Sequence, residues 1–290
     1  MTSLQDSTPR IAVGGLDGSG TRVIALILQK MGFYLGPCLN PQMDCILFTL
    51  LFKRRDWIAS FPDNAEIDRM ISIFSTAMQA GVSEAFGHLA EDEVEALFEE
   101  SRKHGVTRPM FEEILASPAQ PSPAPDHGAY SGVAWKEPNT HVFLSRLTAR
   151  FPNLKYVHVI RNGLDMALSG NRQQLVNWGR LFGIDAKADR PPVETQLDYW
   201  LAANRRAIEV GREMPQGQFY LLNYDDLCAD FVNEIEPFQA FLDRRLTADE
   251  ISQLNELIGS DSIGRFRNAP PGTFSEANRD AVRAFGFAVD

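Results

Sequence analysis

A glycine-rich loop between a short apolar strand and an amphipathic helix is the feature that most constrains the fold of this chain. Ile11-Ala12-Val13 predicts a buried strand that ends at Gly14-Gly15. Apolar residues then recur at helical spacing from Thr21 to Met31, and Gly32 follows as a C-terminal cap. Backbone N–H groups freed by glycines, together with the positive end of the following helix, can bind a phosphate. The sequence therefore predicts a phosphate-binding loop over residues 14–22.

Strands and helices alternate along most of the chain. Strands are predicted to end near Trp135 and to cover residues 156–160 and 219–222, and helices are predicted at about 138–150, from 164, and at 193–213, 231–243 and 247–259. This alternation predicts an α/β fold with a mostly parallel sheet flanked by helices, of the P-loop nucleotide-binding type. The loops after Val13, Ile160 and Leu222 are expected to leave the sheet at its ligand-binding edge.

Two segments interrupt the alternation. Residues from about 41 to 116 are predicted to form a helical insertion, and residues 117–128 (SPAQPSPAPDHG) form a proline-rich stretch. That stretch is either a domain linker or a surface loop within one domain. We expect a single domain over residues 1–290.

Bulk composition excludes several classes of protein. A hydrophobic content of 44% predicts a substantial core, and a net charge of −10 argues against a nucleic-acid-binding surface. The three cysteines contain no CxxC pair, which argues against a disulfide framework or a zinc site. The N-terminal residues lack the pattern of a signal peptide, and the longest apolar stretch, Ile46 to Phe52, is too short to span a bilayer. A cytoplasmic location is therefore expected.

The loop departs from the P-loop pattern of ATP-using enzymes at one position. Gly15 and Gly20 have the spacing of Gly-x-x-x-x-Gly-Lys-Ser/Thr, but Thr21 occupies the position of the lysine. Without that lysine the β- and γ-phosphates of ATP lose their main counter-charge, which disfavours a kinase or ATPase. A glycine-rich turn with no ligand is the alternative interpretation.

Two motifs together resemble the sulfotransferase family that uses 3′-phosphoadenylyl sulfate. Ser19-Gly20-Thr21 matches the family's first motif, and the segment RNGLDMALS matches its second through Arg161 and Ser169. The resemblance implies that the loop, including Gly18 and Arg22, holds the 5′-phosphosulfate, and that Arg161 and Ser169 bind the 3′-phosphate. Arg161 could instead pair with Asp165, and Ser169 could be a helix-surface serine.

The resemblance continues over roughly residues 10–270. The run from Trp135 to Arg161 is similar to a family segment, and YLLNYDDL resembles another, with Tyr224 as either an adenine contact or a core tyrosine. SIGRFR resembles a late element in which Arg265 and Arg267 would clamp the 3′-phosphate or else lie in solvent.

Two glycines depart from the family pattern. Gly163 replaces a proline, and Gly18 replaces the basic residue that stabilises the bridging oxygen in the family. Arg22 or Lys136 could supply the missing charge, although Arg22 could also be an outward-pointing surface arginine.

The general base is expected to be a carboxylate or a histidine that lines the pocket. Asp44, among apolar neighbours, and His141 are the candidates, although Asp44 could equally be an acidic residue at the start of a helix beside Asn40-Pro41. His158 is predicted to be structural, and Glu137 could simply pair with the adjacent Lys136.

The resulting prediction is a sulfotransferase that transfers a sulfuryl group from 3′-phosphoadenylyl sulfate to a hydroxyl or amine of a small-molecule or saccharide acceptor. The helical insertion would supply the acceptor pocket, whose apolar residues could equally be packing core. No metal, nucleic acid or membrane is expected as a partner, and a homodimer is left open. The alternatives are an ATP-dependent small-molecule kinase of P-loop type and a catalytically inactive nucleotide-binding protein.

Overall fold

One five-stranded sheet organises the computed structural model, which describes residues 10–117, 129–259 and 263–290. Its strands are β1 (Arg10–Gly15), β2 (Phe33–Tyr34), β3 (Gly132–Lys136), β4 (Leu154–Ile160) and β5 (Phe219–Asn223). The order is β2-β3-β1-β4-β5. The pairs β1–β3, β2–β3 and β4–β5 are parallel, with Val13 opposite Lys136 and Ile160 opposite Asn223. The predicted parallel sheet flanked by helices is confirmed.

Helices make up most of the remaining described residues. The α-helices are α1 (Thr21–Lys30), α2 (Ile46–Phe52), α3 (Arg55–Ala59), α4 (Asn64–Ala80), α5 (Val82–Phe86), α6 (Glu91–Arg102), α7 (Arg108–Leu115), α8 (Leu144–Arg150), α9 (Gly163–Ala167), α10 (Gln173–Trp178), α11 (Pro192–Glu213), α12 (Tyr224–Ala229), α13 (Phe231–Leu242), α14 (Ala248–Glu256) and α15 (Glu276–Arg283). Short 3-10 helices cover Pro138–Phe143, Gly179–Phe182 and Arg265–Asn268.

Most predicted elements are confirmed, and the differences lie in short segments. The helix predicted over 138–150 is a 3-10 turn followed by α8, and the helix predicted from 164 ends after five residues as α9. Sequence patterns missed β2, α10, α12 and α15, because elements of two to eight residues are too short for a periodic pattern to stand out. The proline-rich stretch lies, apart from Ser117, outside the described residues.

The described chain divides into two compact units, each assembled from separate stretches. We call the first the insertion unit; it contains the residues up to Val13, Ile24–Glu137 and Phe143–Lys155. The second, the loop unit, contains Gly14–Val23, Pro138–Val142 and Tyr156–Asp290.

Aromatic side chains form the centre of the insertion unit. Every residue of α2 is buried, which accounts for the longest apolar stretch of the sequence. The rings of Phe48 and Phe52 are 4.4 Å apart, and the ring of Phe74 lies 5.6 Å from Phe48 and 5.2 Å from Trp135. Phe48, Phe52 and Phe74 of the insertion therefore pack as core. No helix within the described ranges is long and apolar enough to cross a membrane.

A polar chain runs through the core of the loop unit. The Tyr156 hydroxyl lies 2.8 Å from Nδ1 of His158, and Nε2 of His158 lies 2.8 Å from Oδ1 of Asn204 on α11. All three side chains are buried. His158 is thus hydrogen-bonded on both ring nitrogens, in agreement with its predicted structural role.

Candidate nucleotide-binding site

Glycines give the loop between β1 and α1 its shape. The Ser19 backbone N–H donates to the Leu16 carbonyl at 2.9 Å, which closes a turn just before α1 begins. Gly18 and Gly20 have φ angles of +89° and +97°, a region that residues with a Cβ rarely adopt. A Cβ at Gly20 would also lie 2.1 Å from the ring of Tyr224. The loop conformation therefore depends on glycine at both positions.

The loops that follow β1, β4 and β5 meet within the loop unit. Arg161, the residue after β4, donates from Nη1 to the carbonyl of Gly18 at 3.1 Å. Tyr224, the residue after β5, packs against Gly20, and the Arg161 guanidinium carbon lies 5.9 Å from the centre of its ring. The predicted convergence of these loops is confirmed, and it places a cation beside the glycine-rich loop.

Two hydroxyl side chains are buried in the loop. Ser19 is 1% exposed, and within the described ranges its Oγ has no hydrogen-bond partner. Thr21 is also buried and is the first residue of α1. A buried unpaired hydroxyl costs about 1–3 kcal/mol, so such groups usually have a ligand or a water as partner. The loop thus offers a donor, the dipole of a ten-residue helix and a nearby arginine to an anion.

Gln174 on α10 holds the same loop in place. Its Oε1 accepts from the Asp17 N–H at 3.2 Å, and its Nε2 donates to the Gly15 carbonyl at 3.3 Å and to Oδ1 of Asn139 at 2.9 Å. Asn139 Oδ1 also accepts from the Trp178 indole at 2.6 Å. Sequence reasoning missed Gln174, because a glutamine in a short helix gives no sign of the loop that it contacts.

Asp165 binds a late segment of the chain. Its carboxylate accepts from the backbone N–H groups of Gly264 at 2.6 Å and Phe266 at 2.9 Å, and Arg265 donates to its carbonyl at 2.7 Å. The Asp165 carboxylate therefore anchors Gly264 and Phe266 at α9, a role the sequence did not suggest.

The remaining predicted phosphate ligands occupy different surroundings. Arg265 is half-buried against α9, whereas Arg267 is exposed and donates to the carbonyl of Asp290 at 2.7 Å. Ser169 is half-buried and accepts from the Asn171 N–H at 3.2 Å. Arg22 is exposed, as the surface alternative for it expects. Ligand contacts by these four residues stay predictions.

Gly163 has a structural reason for departing from the family's proline. A Cβ at this position would lie 2.8 Å from the ring of Trp200 on α11. The Trp200 indole donates to the Arg161 carbonyl at 3.1 Å, so the ring is fixed directly over the start of α9. Only glycine fits beneath it.

His141 lies in the interior of the loop unit. It is 2% exposed, its ring is 6.3 Å from that of His158, and within the described part of the chain neither ring nitrogen has a hydrogen-bond partner. Burial, with smaller effects of His158 and Arg206, lowers the pKa of His141 well below its ordinary value. The ring is therefore neutral near pH 7, and its role as a base stays a prediction.

Asp44 and Lys136 form an ion pair within the insertion unit. The Lys136 ammonium group binds the Asp44 carboxylate and donates to the Gln42 carbonyl at 3.0 Å. Asn40 donates to the other carboxylate oxygen of Asp44 at 2.8 Å and accepts from its N–H at 2.8 Å. Catalytic roles for Asp44 and Lys136 stay predictions.

The predicted pairing of Glu137 with Lys136 is wrong. The Lys136 ammonium group binds the Asp44 carboxylate, while the Glu137 carboxylate lies 3.8 Å from the Lys53 ammonium group. Successive residues at the end of a strand point to opposite faces of the sheet, so neighbours in sequence bind different partners.

The comparisons with known proteins identify the family. Residues 9–248 match the model described as the sulfotransferase family, so the chain belongs to that family. It is a sulfotransferase, an enzyme of sulfuryl transfer. The search of curated proteins found no match.

Two solved structures show the same fold. A sulfotransferase domain from the Synechococcus PCC 7002 olefin synthase is 15% identical with a TM-score of 0.50, covering 97% of this chain and 95% of that one. A sulfotransferase domain from the curacin biosynthetic pathway is 13% identical with a TM-score of 0.51, covering 98% of this chain and 99% of that one.

Proposed function

We propose that this sulfotransferase takes its sulfuryl group from 3′-phosphoadenylyl sulfate and transfers it to a hydroxyl or amine of a small-molecule or saccharide acceptor. The observation that carries the proposal is the position of Arg161. Its guanidinium group contacts the phosphate-binding loop at Gly18 and lies near the ring of Tyr224. A nucleotide with phosphate groups at both the 5′ and 3′ positions fits this arrangement, because the loop can bind one phosphate group and Arg161 the other.

Each group at this site has a role in the proposal. The loop N–H groups, the Ser19 hydroxyl and the start of α1 would hold the 5′-phosphosulfate, and Arg161 with Ser169 and Arg265 would bind the 3′-phosphate. The Tyr224 ring would contact the adenine base. Sulfuryl transfer then depends on positioning and on charge stabilisation of the leaving phosphate, as phosphoryl transfer does.

Gly18 differs from the family's basic residue in its backbone as well as its side chain. It has a positive φ that disfavours a side chain, and its carbonyl accepts from Arg161. In this proposal Arg161 binds the 3′-phosphate, and which group stabilises the bridging oxygen stays a prediction. The family assignment gives no support to the ATP-dependent kinase alternative. The base, the compartment and the oligomeric state stay predictions.

Calorimetry with two nucleotides tests the proposal. We expect adenosine 3′,5′-bisphosphate to bind at least tenfold more tightly than adenosine 5′-monophosphate, because only the former carries the 3′-phosphate. Arg161→Ala should weaken bisphosphate binding by about 10- to 100-fold, the loss of one or two charged hydrogen bonds, and should bring the two affinities together.

Comparing the two nucleotides distinguishes the loss of a contact between Arg161 and the 3′-phosphate from a distortion of the loop. Arg161 also binds Gly18, so a loss that is equal for both nucleotides would report only a distorted loop. Arg212→Ala, an exposed arginine near the end of α11, is the matched control and should change neither affinity. Equal affinities of the wild-type protein for the two nucleotides would contradict the proposal.

A further inference from the structure

A small cavity with apolar and polar side chains in its wall lies in the loop unit beside Leu16 and Asp17 of the phosphate-binding loop. Its volume is about 20 Å³, which accommodates one group of the size of a water molecule. Its wall includes Leu16, Asp17, Met166, Arg172, Gln196 and Tyr199. The cavity thus adjoins the loop at Leu16 and Asp17.

Three side chains of this wall carry buried polar atoms with no hydrogen-bond partner in the part of the chain that the structure describes. They are the Tyr199 hydroxyl, Gln196 Oε1 and Arg172 Nε. Tyr199 is 2% exposed, and Gln196 is also buried. The Gln196 amide nitrogen is already used by the carbonyls of Met166 and Asn171, at 3.2 and 3.0 Å, so only its oxygen is left. Buried polar atoms are nearly always hydrogen-bonded, which indicates an occupant for the cavity.

The hydrogen-bonding properties of the unpaired atoms indicate which chemical group can occupy the cavity. Arg172 Nε can only donate, Gln196 Oε1 can only accept, and the Tyr199 hydroxyl can do both. A hydroxyl group both donates and accepts, so it matches the set. Arg172 would repel an ammonium group that Asp17 attracts, while Asp17 and the Gln196 oxygen would repel a carboxylate that Arg172 attracts. The formal charges of Asp17 and Arg172 cancel, which also favours an uncharged group.

We propose that this cavity, the hydroxyl subsite, binds a hydroxyl group of the sulfuryl acceptor. The acceptors of this enzyme are then alcohols rather than amines or acids. The side chains of Leu16, Met166 and Trp200 on the same wall favour an apolar carbon skeleton next to that hydroxyl. The assignment rests on the proposed function, since it supplies the acceptor to the donor site described above.

Three matched probes test the subsite. Benzyl alcohol, benzylamine and benzoate share one ring and differ in the polar group, which is neutral, cationic or anionic at pH 7. Their binding to the full chain is followed by ligand-observed NMR titration, with and without adenosine 3′,5′-bisphosphate. We expect saturable binding of benzyl alcohol, at least tenfold tighter than that of the other two probes.

Substitutions in the cavity wall test whether benzyl alcohol binds in this cavity. Tyr199→Phe and Arg172→Met should each weaken benzyl alcohol binding about fivefold or more, and Arg172→Met should narrow the gap between benzyl alcohol and benzylamine. Tyr220→Phe is the matched control, because the Tyr220 ring lies between Phe238 and Phe241 and is not part of the cavity wall. Thermal unfolding shows whether each variant is folded.

The outcomes separate the subsite from the proposed function. Equal binding of the three probes, no saturable binding of benzyl alcohol, or equal effects of Tyr199→Phe and Tyr220→Phe would each overturn the subsite, the last indicating that the cavity holds an ordered water only. Failure of the bisphosphate to bind would instead overturn the proposed function, whatever the probes do.

Discussion

At the scale of single residues, the glycine-rich loop is held by side chains that are distant in sequence. Gln174 contacts Asp17 and Gly15 across 157 and 159 positions, and Arg161 contacts Gly18 across 143. Both side chains are buried, so water competes little with these hydrogen bonds. The loop's shape is therefore set jointly by its own glycines and by β4 and α10.

Gln174→Met should lower nucleotide affinity without removing any group that we place in contact with the nucleotide. Methionine has a similar length but makes neither hydrogen bond to the loop, which at about 0.5–1.5 kcal/mol each corresponds to roughly 5- to 100-fold weaker binding of adenosine 3′,5′-bisphosphate. Isothermal titration calorimetry measures the change.

The neighbouring glutamine provides the control for this variant. Gln173 is exposed, and its amide nitrogen donates to the Asn177 side chain on the same helix. Gln173→Met should leave the affinity unchanged. If the two variants bind the nucleotide alike, Gln174 does not position the loop.

At the scale of elements, the contact between α9 and α11 decides how the residues after Arg161 are placed. The Trp200 ring covers Gly163, its indole N–H binds the Arg161 carbonyl, and the Gln196 amide binds carbonyls at the end of α9. One face of α11 thus fixes both ends of the segment that carries Arg161 and Ser169.

Gly163→Ala should destabilise the protein by about 1–3 kcal/mol. The added methyl group would lie 2.8 Å from the Trp200 ring, and overpacking of a filled core costs about that much. Chemical denaturation followed by tryptophan fluorescence or circular dichroism measures the free energy of unfolding.

Gly170→Ala is the matched substitution, because a Cβ at Gly170 has no neighbour within 4 Å. It should change the free energy of unfolding by less than about 0.5 kcal/mol or raise it slightly. A similar loss in both variants would show that the Trp200 contact is not what requires glycine at position 163.

At the scale of the whole molecule, buried neutral histidines connect the stability of the protein to pH. Burial lowers the pKa of His158 to about 4, although the hydrogen bond to Asn204 opposes this shift, and burial lowers the pKa of His141 as well. In the unfolded chain both rings titrate near the ordinary value of 6.5. Between these values the unfolded chain binds more protons than the folded one, so acid favours unfolding.

We expect the contribution of the neutral histidines to the free energy of unfolding to be complete above about pH 6.5. It should be lost progressively as the pH falls toward 4. The shift of His158 alone corresponds to about 3 kcal/mol, at about 1.4 kcal/mol per pKa unit. Urea denaturation at a series of pH values between 4 and 8 measures the slope of stability against pH.

Substituting a single histidine shows how much that residue contributes to the slope of stability against pH. His158→Gln should reduce the slope of the unfolding free energy against pH between pH 4 and 6.5 by up to one proton, whatever its effect on overall stability. A slope that is the same in the wild type and in His158→Gln would contradict this origin.

The sequence by itself determined the fold class and the position of the glycine-rich loop. Glycines that break a strand before a helix, and strands that alternate with helices, are local patterns that arise from backbone conformation and side-chain periodicity. Ser19, Arg161 and Tyr224 were selected because their motifs resemble those of the sulfotransferase family, and Arg161 also follows directly after a buried strand at the edge where ligands bind.

Only the tertiary structure decided which partner each polar side chain has. Lys136 binds Asp44 rather than Glu137, Asp165 binds the late segment, and Gln174 binds the loop. The partner of each side chain depends on the directions and distances between elements that are far apart in the sequence. A local sequence pattern carries no information about those directions and distances. The glycine-rich loop could therefore be found from the sequence alone, but the groups that hold it and the cavity beside it could not.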